Sequence, residues 1–343
     1  MENPFTLTFG KEPLLTIRRE DINSQLIREF TSHNPSSQAF ILIGARGVGK
    51  TVLLTEQYNY FEKQDNWIVV DINPHRNIQE DIASQIFEKG KLKKIFIKKE
   101  FDFSFHGITL HLSGSNPVSS VGSVLEKMFS YLKKKNIKVL LTLDEVVSNE
   151  NVKAFAHDFQ SYIRKNYDVF LLMTGLYENV YSLQNDKSLT FLYRAPKILV
   201  KALDLFSIRN SYRDIFGVND EIAYKLAELT NGYGFGYQLI GHLFFEKNIL
   251  DETLVEKYDE LLKINAYDKI WSSISENERK LVVSLFDEKE TKTNVILQKT
   301  GFNNKNYSVY RDRLIQKGVI NSTRNGYLSL SLPRFKEFIT NNY

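Results

Sequence analysis

The sequence predicts an α/β protein: a parallel sheet interleaved with helices, then an all-helical region, then a small mixed unit at the C-terminus. Three observations carry this expectation. Short runs rich in Val, Ile and Leu recur through the first two thirds, at Ala39–Ile43, Trp67–Ile72, Val139–Leu143, Val169–Met173 and Lys197–Leu203. Such runs, without polar alternation, read as strands buried on both faces. Amphipathic stretches lie between them, at about Asn77–Glu88, Val118–Lys134 and Val152–Lys165, and this alternation is what builds parallel sheets. From Leu205 to about Asp268 the period is helical throughout, and from about Trp271 a third pattern begins.

Taken in order, the first strand leads into the most informative stretch, Gly44-Ala45-Arg46-Gly47-Val48-Gly49-Lys50-Thr51, with Val52 opening a helix-like segment. Strand, G-x-x-x-x-G-K-T loop and helix together form the P-loop arrangement. Glycines let successive backbone N–H groups converge on one anion, and the helix N-terminus adds partial positive charge. Lys50 is placed to reach β- and γ-phosphates and the Thr51 hydroxyl to ligate Mg²⁺. Asn77 and Glu80 have the spacing of a capping-box variant at the next helix.

Residues Ile95–Leu112 depart from the alternation of strands and helices. Phe101, Phe103 and Phe105 alternate with polar residues, Gly107 breaks the run, and Ile108, Leu110 and Leu112 alternate again. This is a β-hairpin signature. It reads as an insertion at about 94–113, either a contact surface or an edge hairpin that packs on the core. The strand Val139–Leu143 then ends in Asp144-Glu145. Asp144 is placed to hold Mg²⁺ through its water shell, and Glu145 to polarise an attacking water.

Composition narrows the classes. The 343 residues exceed one average domain. An apolar fraction of 42% and a charged fraction of 25% describe an ordinary globular chain. The absence of cysteine excludes disulfides, thiolate zinc sites and cysteine nucleophiles. The opening Met1-Glu2-Asn3-Pro4-Phe5 carries no signal-peptide pattern, and no apolar run approaches the roughly 20 residues that span a bilayer. The expectation is a cytoplasmic protein with no membrane partner. The six histidines show no metal-ligand spacing, and His106 and His111 fall on different strands of the expected hairpin. Net charge is +4, and residues 271–343 carry a surplus of five basic groups. The surplus suits a polyanion partner or a solubilising surface equally.

The C-terminal pattern reads as a winged helix. Ser275-Glu276-Asn277-Glu278 is a capping box that opens a first helix. Lys292–Thr300, ended by Gly301, is a second, and Tyr307–Lys317, with Gly318 as its cap, is a third. Two strands follow, Val319–Asn321 and Tyr327–Leu330, joined through Asn325-Gly326. In such a module the third helix enters the major groove of duplex DNA and the wing touches phosphate. Lys305, Arg311, Arg313, Lys317 and Arg324 are the basic candidates. Winged helices also serve as protein-contact or autoinhibitory modules, so the residues leave that reading open.

Together these motifs resemble an AAA+ (ASCE-type) P-loop ATPase of the archaeal and bacterial group related to origin-recognition initiators and STAND-type NTPases. The resemblance covers nearly the whole chain. It implies ATP and Mg²⁺ as cofactors, Mg²⁺-dependent ATP hydrolysis, and a possible homo-oligomer or protein partner. It also implies a winged helix controlled by the nucleotide state, on DNA or as a protein switch without it. The strand Val169–Met173 ends in Thr174, which matches the family's sensor 1; an ordinary β-branched strand-end residue is the alternative. Arg194, just before the last strand, matches the arginine finger that reaches a neighbouring subunit; a structural ion pair is the alternative. The opening Asn3-Pro4-Phe5 and Arg18-Arg19-Glu20 resemble the adenine-side segment. Asn231-Gly232-Tyr233 resembles the lid motif, with Gly234 where a proline usually stands and no sensor 2 arginine nearby. The expected domains are an ATPase domain at 1–204, a helical lid at 205–268 and a winged helix at 269–343.

Overall fold

The computed structural model describes residues 2–8, 13–89, 103–105, 108–110, 121–184 and 194–343. They divide into two compact units, one made of 20–42 and 53–198, the other of 1–19, 43–52 and 199–343.

The first unit holds a five-stranded sheet in the order β2-β5-β6-β1-β7. The strands are β1 (Ala39–Ile43), β2 (Trp67–Asp71), β5 (Lys138–Leu143), β6 (Val169–Gly175) and β7 (Lys197–Leu199). β2, β5 and β6 pair in parallel, with Val69 opposite Leu140 and Leu141 opposite Leu171. Every residue of β1 and β6 is buried, as unbroken apolar runs require. The last strand is shorter than expected: beyond Leu199 only the Val200 amide continues the ladder, to the Ile43 carbonyl. The helices are α1 (Glu20–Thr31), α2 (Lys50–Glu62), α3 (Ile78–Glu88), α4 (Val121–Lys134), α5 (Glu150–Arg164) and α6 (Tyr177–Gln184). Asn77 caps α3 by accepting the Glu80 amide, and Asn149 caps α5 two residues earlier than the apolar period suggests. Phe30, Phe40, Phe61, Trp67 and Phe170 form an aromatic cluster, with Phe61 and Trp67 ring centroids 4.2 Å apart. The ammonium of Lys138 donates to the Phe30 carbonyl at 3.0 Å and so closes the C-terminus of α1.

β3 (Phe103–Phe105) and β4 (Ile108–Leu110) form an antiparallel hairpin, with Phe103 opposite Leu110. The rest of the expected insertion, including His106, Gly107 and His111, lies outside the described residues, as does the 118–120 start of the following helix.

The second unit is mostly helical: α7 (Leu205–Phe216), α8 (Asp220–Thr230), α9 (Gly234–Lys247), α10 (Glu252–Leu262), a π-turn at Lys263–Tyr267, and α11 (Asp268–Ser273). Then come α12 (Glu276–Val283), β8 (Thr291–Lys292), α13 (Thr293–Thr300), α14 (Asn304–Gln316), β9 (Ile320–Arg324), β10 (Tyr327–Leu330) and α15 (Phe335–Asn342). The Ser275/Glu278 capping box is present in both halves. β8, two residues long, pairs with β10 to complete an antiparallel sheet in the order β8-β10-β9.

Residues from both sides of the expected boundary at 268/269 belong to one apolar core. Tyr267 packs edge-on against Phe335, with ring centroids 5.0 Å apart, and its hydroxyl donates to the Pro333 carbonyl. The N-terminal segment belongs to the same core. Phe5, 3% exposed, lies within 5.6–6.1 Å of the rings of Tyr212, Phe216 and Tyr237. A Cβ on Gly241 would collide with the Phe5 ring. The Thr6 amide donates to Gln238, and Gln238 in turn donates to the Leu15 carbonyl. Phe5→Ala therefore empties a closed aromatic site. It is expected to destabilise the protein by about 3–5 kcal/mol, read as a lowered chemical-denaturation midpoint. An unchanged midpoint would mean that the segment is not part of the folding unit.

Candidate functional site

The Gly-rich loop belongs to the second unit. It leaves β1 at Ile43 and enters α2 at Lys50. Gly47 has φ +76°, and a side chain there would run into the Tyr233 hydroxyl. The loop's carbonyl groups are held from several sides. The Lys50 ammonium donates to the Gly44 and Ala45 carbonyls, at 2.9 Å each. The Tyr233 hydroxyl donates to the Arg46 carbonyl at 2.6 Å, and the Phe235 amide to the Gly47 carbonyl at 2.8 Å. The Arg19 guanidinium donates to the Val48 carbonyl at 2.7 Å and to the Lys201 carbonyl at 2.9 Å.

Phe235 stands in the first turn of α9, where backbone amides lack intrahelical partners. Its N–H finds one on the loop. Gly234 makes the approach possible, because a Cβ there would lie 3.0 Å from the Val48 carbonyl oxygen. Burial pushes the Tyr233 phenol well above its ordinary value, with Arg46 pulling the other way, so the hydroxyl stays a donor. At the far end of the chain, Gly318 follows α14 with φ +70°. Its ideal Cβ position is 2.8 Å from the Ala45 Cβ and 3.0 Å from the Ala45 amide nitrogen. Ala45 and Val48 are buried, while Arg46, Gly47, Gly49, Lys50, Thr51 and Val52 are half-buried.

The carboxylate pair belongs to the first unit. Asp144 and Glu145 follow β5, and Thr174 ends the neighbouring β6. The Thr174 hydroxyl donates to Asp144 Oδ1, and the Glu145 amide donates back to Thr174 Oγ1 at 2.9 Å. Glu145 is left-handed, at φ +54°. A cavity of about 530 Å³ opens here, lined by Asp71, Arg76, Asp81, Asp144, Glu145 and Asn179 among others. Desolvation raises the Asp71 carboxyl above the ordinary aspartate value; Asp144 and Asp81 add to the rise, and a hydrogen bond from Thr142 partly opposes it.

The Asp144 carboxylate is a hard oxygen donor, the type Mg²⁺ selects. Among the described residues no three His, Asp or Glu side chains are grouped to hold a metal alone.

Arg194 is exposed and lines a different cavity, of about 710 Å³, with Ala39, Lys138, Asp168 and Pro196. These residues stand at or just before the starts of β1, β5, β6 and β7, whereas Asp144 and Glu145 follow the end of β5. Arg194 is thus at the opposite edge of the sheet from this chain's own carboxylates.

Of the C-terminal basic residues, Lys317 departs from its expected role as a nucleic-acid contact. Its side chain is only 9% exposed and is paired at 3.2 Å with the buried Glu278, because the end of α14 packs on the start of α12. Arg311 is paired with Asp312, and Arg324 with Glu290 while stacked on the Tyr327 ring. Lys305 is exposed and Arg313 half-buried.

Sequence reasoning missed Tyr233, Phe235 and Gly318 as loop contacts. The run of glycines at 232–236 was the one local signal of a close approach.

Residues 265–339 match a family model described as a domain of unknown function, DUF8462. No curated protein matches the chain. Among solved structures, the Aeropyrum pernix ORC2 protein, in ADPNP and ADP complexes, is 14% identical with a TM-score of 0.52, covering 94% of this chain and 92% of that one. Cdc6p from Pyrobaculum aerophilum is 14% identical, TM-score 0.48, with 97% and 96% covered. AMPPCP-bound DnaA from Aquifex aeolicus is 16% identical, TM-score 0.44, with 89% and 90% covered. Among the described residues no helix is long and apolar enough to cross a membrane. The likeness to ORC2, together with the five-stranded sheet, shows the expected fold class, an α/β P-loop ATPase fold. Fold of itself does not assign activity.

Proposed function

We propose that this chain binds ATP with Mg²⁺ on the loop 44–51, hydrolyses it through Glu145, and passes the nucleotide state to its C-terminal module. The observation that carries the reading is the set of contacts on the loop: the lid, through Tyr233 and Phe235, and the end of α14, through Gly318 against Ala45. A loop that rearranges around a triphosphate moves both.

Lys50 exchanges the Gly44 and Ala45 carbonyls for phosphate oxygens, a stronger charge-assisted partner. Loop amides and the start of α2 add positive potential. Thr51 and Asp144 are the residues that would offer oxygens to Mg²⁺, which would supply charge neutralisation on the phosphates. Glu145 takes the proton of the attacking water. Arg194, placed away from its own carboxylates, serves a nucleotide in a second copy of the chain, so the active form is a homo-oligomer.

The module is read as a winged helix: α12, α13 and α14, then the β9–β10 hairpin. Duplex DNA is one candidate partner, through Lys305, Arg313 and the wing. The ion pairs that engage Lys317, Arg311 and Arg324 favour the second reading, a nucleotide-gated protein switch without DNA. DNA binding that is present at low salt and falls steeply with added salt restores the first.

Hydrogen exchange with and without a non-hydrolysable ATP analogue tests the coupling. Protection is expected to change at 44–51, at 233–236 and at 317–319 together. A change confined to the loop removes the C-terminal module from the proposal, and no change at the loop removes the nucleotide.

A further inference from the structure

We infer that Thr174 is a positioning residue, setting the Asp144 and Glu145 carboxylates rather than touching the phosphate itself. The inference rests on the proposed ATP reading and deepens it. Thr174 is 1% exposed. A threonine hydroxyl has one proton, and here that proton goes to Asp144 Oδ1. The Thr174 hydroxyl oxygen in turn accepts the Glu145 amide at 2.9 Å, and the Thr174 carbonyl accepts the Val146 amide at 2.8 Å. One residue at the end of β6 therefore holds three successive residues after β5.

What it holds is a conformation that needs holding. Glu145 has φ +54°, which side chains other than glycine adopt seldom and keep only when their surroundings over-determine it. Gly175 closes the clamp. A Cβ there would lie 2.7 Å from methyl groups of both Val146 and Val180, so the strand end is packed directly on the turn. Val146 is itself 1% exposed and anchors the far side. A donor bond from Thr174 to a phosphate or to the attacking water would break the bond to Asp144. The geometry assigns Thr174 to aiming the carboxylates.

The test uses the full-length chain with Thr174→Val and Thr174→Ser, each alone and with Glu145→Gln. Three quantities are read: single-turnover hydrolysis, the Mg²⁺ concentration at half-maximal binding of a fluorescent ATP analogue, and the ATP-to-ADP affinity ratio. Thr174→Val is expected to slow hydrolysis about 30-fold and raise the Mg²⁺ midpoint at least about threefold, leaving the affinity ratio within about twofold. Thr174→Ser, which keeps the hydroxyl, stays within about threefold of wild type. At saturating Mg²⁺ in the Glu145→Gln background, Thr174→Val adds less than about threefold further loss of hydrolysis, because the share of its effect that runs through Glu145 is already gone.

A roughly tenfold fall in the affinity ratio with an unchanged Mg²⁺ midpoint overturns the inference in favour of direct phosphate contact. Multiplicative losses in the double variant overturn it as well. If Thr174→Val does not fold, Thr174→Cys, which keeps the volume and weakens both bonds, carries the same comparison. A wild-type chain that binds no Mg²⁺-nucleotide overturns the parent reading. A wild-type chain that turns over while Thr174→Val matches it overturns this inference alone.

Discussion

Lys50→Ala is expected to weaken binding of a fluorescent ATP analogue by at least about 100-fold, close to 3 kcal/mol. The loop folds around this side chain, with two of its carbonyls 2.9 Å from Nζ. Its removal takes away the charge that the proposal assigns to the phosphates, and it also leaves the Gly44 and Ala45 carbonyls to repel an incoming anion. Hydrogen bonds to charged groups contribute about 1.5–3 kcal/mol each, so loss of one such phosphate contact already accounts for the effect. The fold should survive, because the loop keeps the contacts from Arg19, Tyr233 and Phe235. Anisotropy titration paired with a thermal melt separates the two outcomes. An affinity within threefold of wild type, with the melt unchanged, would remove the phosphate from loop 44–51.

What could be read from the sequence divides along a physical line. β1, β5 and β6 are legible because a strand covered on both faces can use almost nothing but apolar residues, and the loop is legible because its chemistry is local backbone chemistry. The helix caps at Asn77 and Ser275 were readable for the same reason. β8 was not, since two residues paired to β10 carry no period. The contacts that give the loop its neighbours were also hidden. Tyr233 and Arg46 are 187 positions apart, and no local pattern encodes that meeting. Lys317 shows the converse error. Its charge suggested a surface role, but its place at the end of α14 buries it beside Glu278. Thr174 lay between the two cases: its position at a strand end was legible, while its hydrogen-bond partners depend on which strand lies alongside.

Glu145→Gln should leave nucleotide binding within about threefold of wild type and cut turnover by about 10²–10³-fold, the range general-base removal usually gives. The substitution keeps size and shape, and Gln tolerates the left-handed backbone at φ +54° no worse than Glu. The Glu145 amide still reaches Thr174 Oγ1, since that bond is made by the main chain. What changes first is basicity: a neutral amide cannot take a proton from water. The amide also removes one negative charge from a cleft that already holds Asp71, Asp81 and Asp144. A slight tightening for the anionic nucleotide is therefore the expected direction. Loss of binding and turnover together would point to a structural role for Glu145, and undiminished turnover would require another base. Because the substitution spares the loop entirely, its effects should be independent of those of Lys50→Ala, one abolishing occupancy and the other stalling an occupied site. That difference makes the stalled variant the form in which a neighbour's Arg194 should be caught at the nucleotide, read as a larger particle in the presence of ATP than of ADP.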